Sequence, residues 1–143
     1  MELSEIVFDE SADIETGAVF ETTVSLKDFV ESMEKGNVKI EDQSFLTNGP
    51  RQKAKLIFTL KKNFDKRTSM IIHFSVFGES GENMVSVRIK AEIKTKAPEE
   101  TEGFMGAVVD EYYMKKLYEK LRSHVKDTAK EIYNTIEKEF VGH

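Results

Sequence analysis

The chain has no cysteine. That excludes disulfides, thiolate nucleophiles, iron–sulfur clusters and cysteine-ligated zinc in one step, and it suits a reducing compartment. Two prolines and eight glycines among 143 residues are too few for a fibrous or low-complexity chain. No apolar run approaches the roughly 20 residues that cross a bilayer. Met1–Glu10 is acidic and lacks the basic-then-apolar order of a secretory leader, so the expected location is cytoplasmic, without a membrane span. A net charge of −5 gives no global attraction to nucleic acid, and no nucleic-acid partner is expected.

Catalytic motifs are missing too. There is no P-loop, no GxGxxG after a strand, no GxSxG, no HExxH and no EF-hand. His73, His124 and His143 are scattered, whereas a zinc site needs three or four convergent ligands. Glu99 and Glu100 adjoin in a loop without a partner pattern. No nucleophile stands beside a base. The expectation is therefore no metal, no cofactor and no catalytic residue: a binding protein before an enzyme.

What is present is a well-patterned α+β chain. Hydrophobic residues make up 39% and charged residues 33%, a globular balance with a strongly solvated surface. The length suits one domain spanning 1–143. Leu3–Phe8 reads as a short strand and Ser11–Thr16 as a turn. Ala18–Ser25 alternates with strand periodicity. Leu26, Phe29, Val30 and Met33 recur at helical spacing, with Ser25 as cap and Gly36-Asn37 as stop. Val38, Ile40 and Asp42 resume the alternation. Thr47-Asn48-Gly49-Pro50 is a turn signal.

Three stronger strands follow. Ala54, Leu56, Phe58 and Leu60 share one side; so do Met70, Ile72, Phe74 and Val76; so do Val85, Val87, Ile89, Ala91 and Ile93. Their short polar connections predict antiparallel hairpins, with one apolar and one wet sheet face. A helical stripe then runs from Phe104 through Ala107, Val108, Met114, Leu117, Leu121, Val125, Thr128, Ala129, Ile132 and Ile136 to Phe140. At 1.5 Å per residue this helix would be roughly 50 Å long, enough to overhang a small sheet or meet a partner.

The order strand, short helix, four strands, long C-terminal helix resembles the helix-grip fold of the START-like superfamily, which includes the birch pollen allergen, polyketide cyclases and lipid-transfer domains. The resemblance rests on the strand running straight into Leu26–Met33, the antiparallel strands of Lys53–Lys96 and the helix Phe104–Phe140, nearly the whole chain. It implies an apolar or amphipathic small-molecule ligand held between the sheet and the last helix. Leu56, Phe58, Leu60, Met70, Ile72, Phe74, Val85, Val87, Ile89, Met114, Leu117, Tyr118, Leu121 and Val125 would then line the site. The plainer reading of the same pattern is a solid core.

Other readings stay open. A cofactor-free cyclase or hydrolase of the same fold would need a polar group inside, with His73 or Tyr118 as candidates. Parity puts His73 on the wet face. Gly103 and Gly106 would loosen the start of the long helix. The wet face carries Lys53, Lys55, Lys61, Arg88, Lys90, Lys94 and Lys96, a stripe suited to phosphate groups or an acidic partner, or simply a solvated face. The helix end, with Ile132, Ile136 and Phe140, offers an interaction surface or homodimer contact.

Overall fold

The computed structural model describes residues 2–34, 37–96 and 116–141. The elements are β1 (Glu2–Glu15), α1 (Val19–Met33), β2 (Asn37–Asn48), β3 (Arg51–Asn63), β4 (Thr68–Glu79), β5 (Met84–Lys96) and α2 (Tyr118–Ile136), the last continued by a π-helical turn, Glu137–Val141. The five strands form one antiparallel sheet in the order β1-β5-β4-β3-β2. Both helices pack on one face of it. This is the α+β helix-grip arrangement. Phe104, Met114, Gly103, Gly106 and the Glu99-Glu100 pair lie outside the described residues, as does His143.

Three hairpins build β2 to β5, so neighbours in sequence are neighbours in space. At the β2–β3 turn Gly49 takes φ +62°, a left-handed value that glycine adopts without steric cost. At the β3–β4 turn Asp65 Oδ1 accepts the backbone N–H of Arg67 and of Thr68, both at 2.7 Å, in an Asx turn. The inner sides of β4 and β5 are buried throughout, and that of β3 from Ala54 to Leu60. Phe58 and Phe74, paired across β3 and β4, stack with centroids 4.6 Å apart.

The segment read as a strand, Ala18–Ser25, is the first half of α1, which is a correction. Val19, Thr23, Leu26 and Val30 are buried at 0–1% exposure, a 4-3-4 spacing that only a helix puts on one side. The β-branched residues there favour a strand locally, but burial overrides propensity. The Thr23 hydroxyl donates to the Val19 carbonyl at 2.8 Å, so it enters the core satisfied. Close approach is possible because Gly78 lies beneath: a methyl group there would meet Val19 Cγ1 at 2.5 Å. The polar Ser11–Thr16, read as a turn, mostly continues β1, which pairs with β5 along its whole length. Bulges between Ile6 and Phe8 and between Ile40 and Asp42 reverse the parity of both edge strands. Gln43 and Phe45, rather than Asp42, therefore share the side of Leu56 and Ala54.

The regular part of α2 is roughly 28 Å long, shorter than the roughly 40–46 Å of strands of 12–14 residues. It follows β1, with Tyr118 at Glu5 and Tyr133 at Ser11 and Phe8. Ile132 and Ile136, which the pattern offered to another chain, are buried within this one at 1% and 0% exposure. Phe140 meets Phe29 edge-on at 5.5 Å.

Candidate functional site

Strand pleating sends alternate side chains inward, and the helices close over them. Leu56, Phe58, Leu60, Met70, Ile72, Phe74, Val85, Val87 and Ile89 all stand on this inner layer at 0–2% exposure, and Val125 of α2 joins them at 0%. Leu121 is half-buried against the cluster, and Leu117 is 39% exposed at the helix start. Tyr118 is half-buried on the β1 side. The nine strand side chains grouped by sequence are thus brought into one layer with Val125, whereas Leu117 stays exposed and Met114 lies outside the described residues. At 0–2% exposure the strand side chains and Val125 are closed off from water.

One end of this layer is polar. Thr68 and Thr95 face each other across β4 and β5, each at 1% exposure. Neither hydroxyl finds a hydrogen-bond partner among the described residues. Most buried hydroxyls are satisfied, so two adjacent orphans require a cause. Glu5, the cross-strand partner of Ile93, stands one inward step away from Thr95. Its carboxylate accepts the Tyr118 O–H at 2.6 Å and the Arg122 Nε–H at 2.7 Å. Beside this group a depression of about 590 Å³ opens between β1 and α2, lined by Glu5, Tyr118, Glu119, Arg122 and Ser123.

The electrostatics settle the protonation states. The Tyr118 hydroxyl, then the Arg122 guanidinium, hold the Glu5 carboxyl below its ordinary range. Burial, then the Glu5 carboxylate, push the Tyr118 phenol up to about 12. Near neutral pH the cluster is a carboxylate, a neutral phenol and a guanidinium. The phenol is a donor already in use and not a base. The arrangement can exchange hydrogen bonds with a polar group, and it contains no activated nucleophile.

His73 faces away from this layer. Its Nε2 lies 3.0 Å from Glu92 Oε1 on the helix-free face, because Ile72 and Phe74 take the inward positions. The acid–base role that required an interior His73 therefore loses its geometry. No group of three or more His, Asp or Glu residues could hold a metal ion among the described residues. No helix among them is long and apolar enough to cross a membrane.

The helix-free face has two depressions of its own. One, of about 400 Å³, is lined by Leu46, Phe77 and Met84 with Lys53, Lys55, Glu79 and Glu82. Phe77 is 48% exposed and Leu46 61%. The other lies at the β3–β4 turn and is strongly basic.

No family model matches the chain, and no curated protein matches it. Among solved structures it is similar to the crystal structure of Ara h 8.0201, with a TM-score of 0.26 and 9% identity over 90% of this chain and 98% of that one. A likeness at that level carries no argument. The fold stands on the strand order and helix placement above.

Proposed function

We propose that the chain binds an amphipathic small molecule between the sheet and the C-terminal helix. The observation that carries this reading is the pair of buried, unsatisfied hydroxyls of Thr68 and Thr95 at one end of an otherwise apolar layer. A polar group of the ligand satisfies them, with Glu5, Tyr118 and Arg122 at the rim. Its apolar part lies against Met70, Ile72, Val87 and Ile89, with Leu121 and Val125 above. These side chains are closed off from water, so the ligand enters by displacing α2. That movement is feasible because α2 rests mainly on β5 and the edge strand β1, while α1 holds the β3–β4 half. Binding then pairs relief of the orphan hydroxyls with burial of ligand surface, at about 25 cal/mol per Å² of apolar area.

Native mass spectrometry of the purified protein, followed by extraction under denaturing conditions, tests the reading. The expected result is an adduct of several hundred daltons, released on unfolding, and regained when extract is returned to stripped protein. A bare mass, combined with no saturable binding of a fluorescent fatty acid by the stripped protein, overturns it.

A further inference from the structure

The helix-free face does not carry its positive charge evenly. Lys55 is taken by Asp42 at 2.7 Å, and Arg88 is bidentate on Asp9 at 2.9 and 2.7 Å. Lys53 stands opposite Glu79. The exception is the end formed by the β3–β4 turn and the end of β5. There a hollow of about 520 Å³ is lined by Lys61, Lys66, Arg67, Lys94 and Lys96 with Asn63, Thr68, Ser69 and Ile71. Its one carboxylate, Asp65, already accepts two backbone N–H groups through Oδ1. Lys94 approaches Glu92 at 3.7 Å, and Arg67 donates to the Lys96 carbonyl at 3.4 Å. No carboxylate lies within ion-pair distance of Lys61, Lys66 or Lys96 among the described residues.

Three lysines gathered at one hollow with no carboxylate in ion-pair distance among the described residues, in a chain of net charge −5, is a local concentration that a solvated lysine face does not require. Lysine and arginine remain protonated at neutral pH, and their donors match the oxygens of a multiply charged anion. The lining has no aromatic side chain on which a base could stack. We propose that this hollow is a binding site for the phosphate groups of a small diphosphate-bearing molecule. Its lysines lie on the face opposite the helices, and Thr68 alone of its named residues also belongs to the inner-layer site, so changes at Lys61 and Lys96 test it separately from the ligand in the inner layer.

Inorganic pyrophosphate titrated into the full chain by calorimetry is the test. The expected result is saturation at a single site, weakening steeply as ionic strength rises toward about 0.15 M. Paired Lys61→Gln and Lys96→Gln should lower the affinity about tenfold or more, at unchanged thermal stability, since both are exposed cations that line the hollow. Paired Lys126→Gln and Lys130→Gln remove the same charge from exposed positions of α2, across the sheet, and should change it less than about twofold. Equal losses from both pairs would reduce the effect to general charge and overturn the site. Absence of saturable heat would do the same, as would tighter binding of a single-stranded RNA oligonucleotide that is indifferent to the Lys61 and Lys96 changes.

Discussion

Replacing Thr68 by valine should make the ligand-stripped protein more stable. Most buried Thr→Val changes lose a hydrogen bond and cost stability. Here the Thr68 hydroxyl is buried at 1% exposure with no partner among the described residues. Leaving such a group unsatisfied costs about 1–3 kcal/mol, and an apolar group of the same shape removes that cost. Valine also suits an inner strand position. A gain of about 1 kcal/mol follows. With an unfolding entropy of ~2.1 cal/mol/K per residue, the 143-residue chain changes by ~0.3 kcal/mol per degree, so Tm should rise by about 3 °C. Thr95→Val should act alike, and the double variant should be more stable than either single one, with the departure from the sum measuring the coupling of two facing side chains. The assay is calorimetry on protein unfolded and refolded to strip bound molecules. The same variants should take up less extracted ligand, so stability and binding move in opposite directions. Two single variants that each lose stability, with a double variant near wild type, would refute the reasoning. The hydroxyls would then be serving each other, and no polar group would be missing from that end of the layer.

Two further changes test the frame around the site. Gly78→Ala places a methyl group 2.5 Å from Val19 Cγ1 and 3.0 Å from Val85 Cγ2. Overpacking of this kind costs about 1–3 kcal/mol, or roughly 3–10 °C in Tm. Val19→Ala in the same chain should recover part of it, with a coupling above ~0.5 kcal/mol in urea titrations; strict additivity would mean that α1 does not rest on Gly78. Glu5 carries the acid sensitivity of the β1–α2 contact. Its carboxyl is depressed in the folded state, first by Tyr118 and then by Arg122, so its contribution is present above the ordinary value of 4.5 and is lost as pH falls through the folded value. Glu5→Gln should lower Tm modestly at pH 7, because the pair is partly exposed, and should flatten the decline as pH falls below about 4.5. An unaltered slope would show that the Glu5–Arg122 pair does not form in solution.

The central strands were legible because each is buried on one side and wet on the other, and period two expresses that directly. α1 was harder. Val19, Phe20, Thr22, Thr23 and Val24 satisfy a strand template by type and by alternation, and the helical spacing of Val19, Thr23, Leu26 and Val30 was hidden because a threonine stood on the buried stripe. No local rule announces that Thr23 will be satisfied by a carbonyl four residues back. Leu3–Phe8 and the run from Val38 were legible as strands and lie in β1 and β2, but the side taken by Asp42 was not. A bulge inserts one residue and inverts everything beyond it, and its position follows from pairing with the neighbouring strand, which the chain's own pattern does not contain.

The polar end of the layer was within reach. The alternation seen at Met70 and at Ile93 needs one more step outward to land on Thr68 and Thr95, and both positions then point inward. Reading stopped there because threonine ends a hydrophobic pattern by type, although its position continued it. The general point concerns what an apolar pattern can reveal. A stripe of Leu, Ile and Phe serves a solid core and a ligand pocket equally well, and no count of such residues separates them. The separation comes from polar groups that obey the inward parity and have no partner, since a core selected only for stability has no use for them. Among the described residues Thr68 and Thr95 meet that description, whereas Thr23 has similar burial and a satisfied hydroxyl. The contrast between those three threonines, more than the size of the apolar layer, is the reason to look for a ligand at this end of the sheet.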